Sequence, residues 1–219
     1  MIWEQMSVTY AIKATQVTKK YDDFTALAGV SVEVATGECL AILGPNGAGK
    51  TTLTEILEGY RKRDSGNAEV LGVDPGRPTS AWRAKLGIVL QNASDLADLT
   101  VEETVTHFAR YYPNPADPAQ VIAAVGLTDK AGSRNGKLSG GQRRRLDVAL
   151  GIIGNPEVLF LDEPTTGFDP EARREFWGLI ERLKSEGTTI LLTTHYLDEA
   201  QFLADRVAVI ARGQIVAQG

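Results

Sequence analysis

The chain holds one cysteine, Cys39, so no disulfide can form within it, and a secreted, disulfide-stapled scaffold is excluded. Cys39 lies in the apolar run Cys39-Leu40-Ala41-Ile42-Leu43 and reads as a small buried hydrophobe. No run approaches the ~18 consecutive apolar residues of a membrane span. Residues 1–10 contain Glu4 and lack a basic region followed by a long apolar one, so no secretory signal is expected. Internal repeats and low-complexity tracts are missing too. The charge excess is acidic, net −5 with a pI of about 5.2, which argues against bulk nucleic-acid binding. What is present is an ordinary globular composition, 43% hydrophobic and 23% charged, in 219 residues. That length supports one domain, or one domain with a lobe, without staples. Composition alone points to a soluble cytoplasmic protein.

The first part reads as β-rich. Val8 to Lys20 alternates loosely, and Val30, Val32 and Val34 alternate with Ser31 and Glu33 as a half-buried strand does. Residues 39–43 and Val158-Leu159-Phe160-Leu161 are short continuous apolar runs, the pattern of strands buried on both faces. Thr188–Thr193 and Val207–Ile210 supply two more strands. A helix is expected through Leu53, Ile56 and Leu57. Another starts at Asp169 as N-cap and Pro170 in the first turn, with Ala172, Phe176, Ile180 and Leu183 inward and Gly187 at its exit. Residues 92–150 read as mostly helical, with breakers at Pro113, Pro115 and Pro118. The expected fold is α/β: a mostly parallel sheet with helices on both sides and an N-terminal antiparallel β region. Residues 1–91 and 151–219 form the core, and 92–150 form an inserted helical lobe.

Gly44-Pro45-Asn46-Gly47-Ala48-Gly49-Lys50-Thr51 matches G-x-x-x-x-G-K-[ST], the phosphate-binding P-loop, between an apolar strand and a helix. Its glycines let backbone N–H groups curl around phosphate oxygens at a helix N-terminus. Lys50 then reaches the β- and γ-phosphates, and the Thr51 hydroxyl takes Mg²⁺. Asp162-Glu163 ends an apolar strand, which places carboxylates at the edge where open α/β sheets bind ligands. Asp162 is expected to hold Mg²⁺, through water, and Glu163 to orient or deprotonate the attacking water. A helix-capping acidic pair is the bland alternative, and it weakens once the P-loop is accepted. Ser139-Gly140-Gly141-Gln142 forms a second anion-binding turn at a helix start. Six basic residues and no acid lie between Lys130 and Arg145. Arg143–Arg145 read equally as part of that positive patch or as a solvated helix face. His107, beside Phe108, reads as structural or exposed. His195 follows a strand at the sheet edge of Asp162; a lone histidine there usually reads as bland, and with the P-loop present it is expected to contact the γ-phosphate.

Leu138 to Gln142 resembles the signature of the ATP-binding cassette (ABC) ATPases. The P-loop, Gln91 at the Q-loop position, Asp162-Glu163 as the Walker B pair and His195 as the switch histidine occur in the family's order. The resemblance implies that Tyr21 stacks on adenine, Thr52 contacts the α-phosphate and Gln91 binds Mg²⁺ and water while linking core to lobe. It implies that Ser139 and Gly141, in the turn with Gly140 and Gln142, bind the γ-phosphate of ATP held by a second copy. Asp169 resembles the acid of a loop that crosses the dimer interface. That loop reads Thr166-Gly167-Phe168-Asp169 where many relatives have Ser-Ala-Leu-Asp. Many relatives also continue past the strand at which this chain ends, so a missing C-terminal segment is an expectation.

Leu57-Glu58-Gly59, the 166–170 loop and Thr194–Ala200 are similar to prokaryotic exporters of drugs, lipids or polysaccharides. The resemblance therefore implies an Mg-dependent ATPase that closes head to tail as a homodimer around two ATP. It would power export through a separate transmembrane permease subunit, on the inner face of the cell membrane, with no nucleic-acid partner. An importer subunit and a soluble ATPase in cofactor assembly are the alternatives.

Overall fold

The computed structural model describes residues 9–89 and 96–219. A three-stranded antiparallel sheet is built from β1 (Tyr10–Tyr21), β2 (Phe24–Ala35) and, after β3 (Cys39–Leu43) and α1 (Lys50–Leu57), β4 (Ser65–Val70), in the order β2-β1-β4. α2 (Ser80–Arg83) leads into β5 (Leu86–Val89). Next come α3 (Val101–Ala109), α4 (Pro118–Ala124) and α5 (Gly140–Ile152), then β6 (Val158–Asp162), α6 (Pro170–Ser185) and β7 (Thr189–Thr194). α7 (Leu197–Leu203), β8 (Arg206–Ala211) and β9 (Gln214–Gln218) complete the α-helices and strands of the described residues. The six-stranded sheet runs β5-β6-β7-β3-β8-β9, parallel from β5 to β8, with β9 antiparallel at its edge.

The apolar runs are continuous because both sheet faces are covered. Cys39 and Ala41 of β3, Leu159 and Leu161 of β6 and Ile190 and Leu192 of β7 point to one face. They pack with Val105, Val121, Leu146, Phe176 and Leu203 from α3 to α7. The alternate residues Leu40, Ile42, Val158, Phe160 and Leu191 pack on the other face against Leu53 and Ile56 of α1, Trp82 of α2 and the antiparallel sheet. Period-two alternation within each strand thus feeds two separate cores. Cys39 is fully buried, and burial pushes its thiol up to about 12, so it behaves as a hydrophobe rather than a nucleophile.

The α6 N-terminus forms as its sequence dictates. Asp169 accepts hydrogen bonds from the N–H groups of Glu171 (3.0 Å) and Ala172 (2.8 Å), and Pro170 stands at the first helical position. Its buried row is Phe176, Leu179, Ile180 and Leu183, while Ala172 is only half-buried. Gly187 takes φ 93° just past the end. Between residues 96 and 150 the helices are shorter than the sequence suggests. Pro118 opens α4 rather than breaking a helix, because Asp117 caps it by accepting from the Gln120 N–H at 3.0 Å. No helix among the described residues is long and apolar enough to cross a membrane.

Candidate functional site

Three parallel strands end at one edge of the large sheet. Asp162 of β6 lies opposite Thr193 of β7, and Leu43 of β3 lies opposite Thr194. Leaving β3, the Gly44 N–H donates to the Thr194 carbonyl at 3.1 Å, and the chain curls through residues 44–49 into α1. Gly49 caps that helix at φ 108°, and a Cβ there would stand 2.6 Å from the Ala26 carbonyl oxygen. Only glycine meets both demands. Ala48 is buried behind the loop, and its carbonyl accepts from the Gly213 N–H at 3.0 Å. Lys50, 4% exposed, donates to the carbonyls of Gly44 (2.8 Å) and Pro45 (3.2 Å).

A cleft of about 330 Å³ opens over this loop, lined by Asn46, Gly47, Gly49, Lys50, Thr51, Thr52, Tyr21, Phe24, Ala26, Asp162 and Glu163. The Tyr21 ring is held by the Arg61 guanidinium, 5.1 Å from its centre, and Arg61 in turn pairs with Glu55 at 2.5 Å. The cleft therefore brings together a flat aromatic, the glycine-rich backbone of the loop and a buried ammonium.

The Asp162 carboxylate accepts from the Thr51 hydroxyl at 3.1 Å and from the Thr193 hydroxyl. Glu163 follows with φ 44°, left-handed for a non-glycine residue, a conformation that costs about 1–2 kcal/mol. Its N–H is held by both the carbonyl and the hydroxyl of Thr193, each at 3.1 Å. Its carboxylate meets Lys50 Nζ at 3.0 Å, and His195 Nδ1 approaches the other oxygen to 3.3 Å without hydrogen-bond alignment. Burial works to raise this carboxyl, but the Lys50 ammonium and His195 outweigh it and hold it below the ordinary carboxylate range. Glu163 is thus ionised at neutral pH in the lining of the cleft.

Ser139 is exposed at the start of α5, where a reciprocal cap forms. Its Oγ accepts from the Gln142 N–H at 3.2 Å, and Gln142 Oε1 accepts from the Ser139 N–H at 3.0 Å. This turn does not line the P-loop cleft. Gly140 instead lines a neighbouring cleft of about 490 Å³ with Arg144, Asp147, Glu163 and residues 166–168. Glu163 therefore borders both clefts.

The structure also divides the three consecutive arginines. Arg143 is exposed and Arg145 pairs with Glu175, but Arg144 points inward and is 7% exposed. A solvated face fails for Arg144 because it stands one and two turns before the buried Val148 and Ile152. That spacing was the available signal. His107 is exposed against the Tyr111 hydroxyl at 2.9 Å, outside the site. Gln91 lies outside the described residues.

Glu58, which the sequence did not single out as a site residue, caps the C-terminal end of α1 at 8% exposure. Burial, then the charges of Asp162 and Glu55, raise its carboxyl to about 8. The folded chain therefore keeps a proton that the unfolded chain releases near pH 4.5. The stability this proton carries is complete below the unfolded value and is lost as the pH rises through the folded one. Glu58→Gln should match the parent in melting temperature at about pH 4.5 and exceed it increasingly towards about pH 9. Thermal melts across that range measure the difference, and parallel curves would contradict it.

Comparison with known proteins is consistent with this geometry. The family described as ABC transporter matches residues 27–166. Nod factor export ATP-binding protein I of Burkholderia thailandensis is 43% identical over 210 residues, covering 93% of this chain and 69% of that protein. The daunorubicin resistance ATP-binding protein DrrA3 of Streptomyces coeruleorubidus is 42% identical over 214 residues, 95% of this chain and 68% of its own. Among solved structures, cbiO1 from Clostridium perfringens, part of the ABC transporter complex cbiONQ, superposes with a TM-score of 0.86 at 30% identity, covering 96% of this chain and 88% of that one. A dimeric bacterial ABC transporter cassette superposes at 0.82 with 26% identity, covering 95% and 97%.

Proposed function

Since the chain belongs to the ABC transporter family and is an ATP-binding ATPase subunit of it, we propose that two copies close head to tail around two ATP molecules and drive export through a separate membrane subunit. The names of the export and drug-resistance relatives support the direction of transport. The dimeric cassette supports the pairing. The chain then works on the cytoplasmic side, held at the membrane by its permease partner. Residues 92–150 serve as the lobe that presents the Ser139 turn.

One observation carries the reading: the Glu163 carboxylate lines the P-loop cleft and contacts both Lys50 and His195. Adenine stacks on Tyr21, the backbone at 44–49 cradles the phosphates, Lys50 binds the β- and γ-phosphates, and Thr52 holds the α-phosphate. When the Lys50 ammonium turns to phosphate, Glu163 loses the partner that depresses its basicity, and its carboxylate becomes a better acceptor for the water proton. His195 faces the γ-phosphate. Phosphoryl transfer needs little covalent help, so positioning and charge supply the rate.

Thr51 and Asp162 present oxygen donors 3.1 Å apart beside the P-loop, a donor set that suits Mg²⁺. An ion held there would take its remaining ligands from phosphate and water. Bound there, Mg²⁺ would neutralise phosphate charge.

Tyr21→Ala tests the base-stacking assignment. Base–aromatic stacking is worth about 1–3 kcal/mol, so the KM for ATP should rise about tenfold while kcat stays close to that of the parent. Steady-state ATPase assays separate the two constants, and an unchanged KM would remove Tyr21 from the nucleotide site.

A further inference from the structure

The least expected charged group in the core is Arg144. Its Nε donates to the Pro164 carbonyl at 3.0 Å, and its Nη2 donates to the Asp162 carbonyl at 2.9 Å. These carbonyls flank Glu163 on either side along the chain. The guanidinium thus grips the peptide frame of the one residue in that turn whose backbone is left-handed. Thr193 grips the same turn from β7 through the Glu163 N–H. A left-handed non-glycine residue keeps its conformation only while its surroundings impose it, so these two grips set the direction of the Glu163 side chain.

Arg144 is also part of α5, five residues beyond the cap residue Ser139. A helix is stiff over that distance of about 7.5 Å, so a tilt or slide of its N-terminus moves the guanidinium with it. Burial lowers the pKa of this guanidinium, and Asp147, one turn on and facing Nη1 at 3.8 Å, together with the charges of Asp162 and Glu199, offsets only part of that. A planar fork can reach two carbonyls at once, whereas a lysine ammonium on a flexible stem acts as a point charge.

We propose that Arg144 is a positioning residue that ties the helix bearing the Ser139 turn to the Glu163 turn of the same copy. Seating of that helix on the partner copy's nucleotide then sets the aim of this copy's Glu163. The two sites of the dimer are thereby coupled through α5. This inference rests on the head-to-tail dimer and on Glu163 as the base.

The test uses Arg144→Met and Arg144→Lys in the full chain. A misplaced catalytic group costs up to ~100-fold, so Arg144→Met should lower kcat by at least about tenfold with the ATP affinity, read by a fluorescent ATP analogue, within about twofold. Arg144→Lys should recover part of that loss. Mixed dimers of differently tagged chains then locate the effect, with Glu163→Gln silencing one copy. The rate should fall when Arg144→Met shares a chain with the working Glu163. It should fall by no more than about twofold when it sits on the silenced chain, because only the first arrangement disturbs the working base. Loss only in the second arrangement, joint loss of affinity and kcat with no rescue by lysine, or an unchanged kcat would each overturn the inference. A parent chain that neither pairs with ATP nor hydrolyses it would bring down the functional reading as well, and that control separates the two failures.

Discussion

Replacing Glu163 by glutamine should leave ATP binding intact and lower turnover by ~100-fold or more, the scale on which a general base contributes. Glutamine has the same shape, so the left-handed turn and its hydrogen bonds to Thr193 survive. The carboxylate charge does not survive, and with it go the proton acceptor and the 3.0 Å partner of Lys50. An ammonium freed of that partner binds phosphate at least as well as before. If hydrolysis reopens the closed pair, the variant should also accumulate as an ATP-bound dimer on size-exclusion chromatography. Near-parent turnover in single-turnover assays would take Glu163 out of the mechanism.

Ser139→Arg should abolish hydrolysis, by ~100-fold or more if the turn supplies transition-state contacts, while the isolated chain keeps its affinity for ATP. Ser139 lies outside the residues that line the P-loop cleft, so binding within one copy has no reason to change. The substitution removes the reciprocal cap with Gln142, a loss of about 1 kcal/mol that the fold can bear. It also places a bulky cation where the turn would meet a second copy's phosphates. The ligand can favour the closed pair only through contacts made in that state alone, and under the proposed function this turn would supply them. Titration with a fluorescent nucleotide and a coupled ATPase assay read the two effects separately. A variant that hydrolyses ATP at the parent rate would refute a site composed from two copies.

Much of the fold was legible because its signals are local. The runs at 39–43 and 158–161 announced strands buried on both faces, and Asp169-Pro170 announced the start of α6. β4, β5 and β9 gave no such signal. β4 reads Ser-Gly-Asn-Ala-Glu-Val, β5 has four residues, and β9 is an edge strand with mostly exposed side chains. Each is specified by its neighbours rather than by its own composition. Pro118 misled as a breaker because proline is equally at home in a first turn, and only the position of Asp117 decides between the two.

The chemistry of each loop was contained in the sequence alone. A P-loop is a contiguous stretch whose glycines and lysine act within a few residues of one another, and a strand-ending acid pair needs only the strand before it. The relations between loops came from the tertiary structure. The sheet order β6-β7-β3 brings Glu163 to Lys50 and His195, and that order is set by packing two cores on either face, not by any residue in the loops themselves. The same holds for the three arginines at 143–145, identical in the sequence. Helical rotation against a buried strand end turned one of them inward, onto the carbonyls that frame the Glu163 turn.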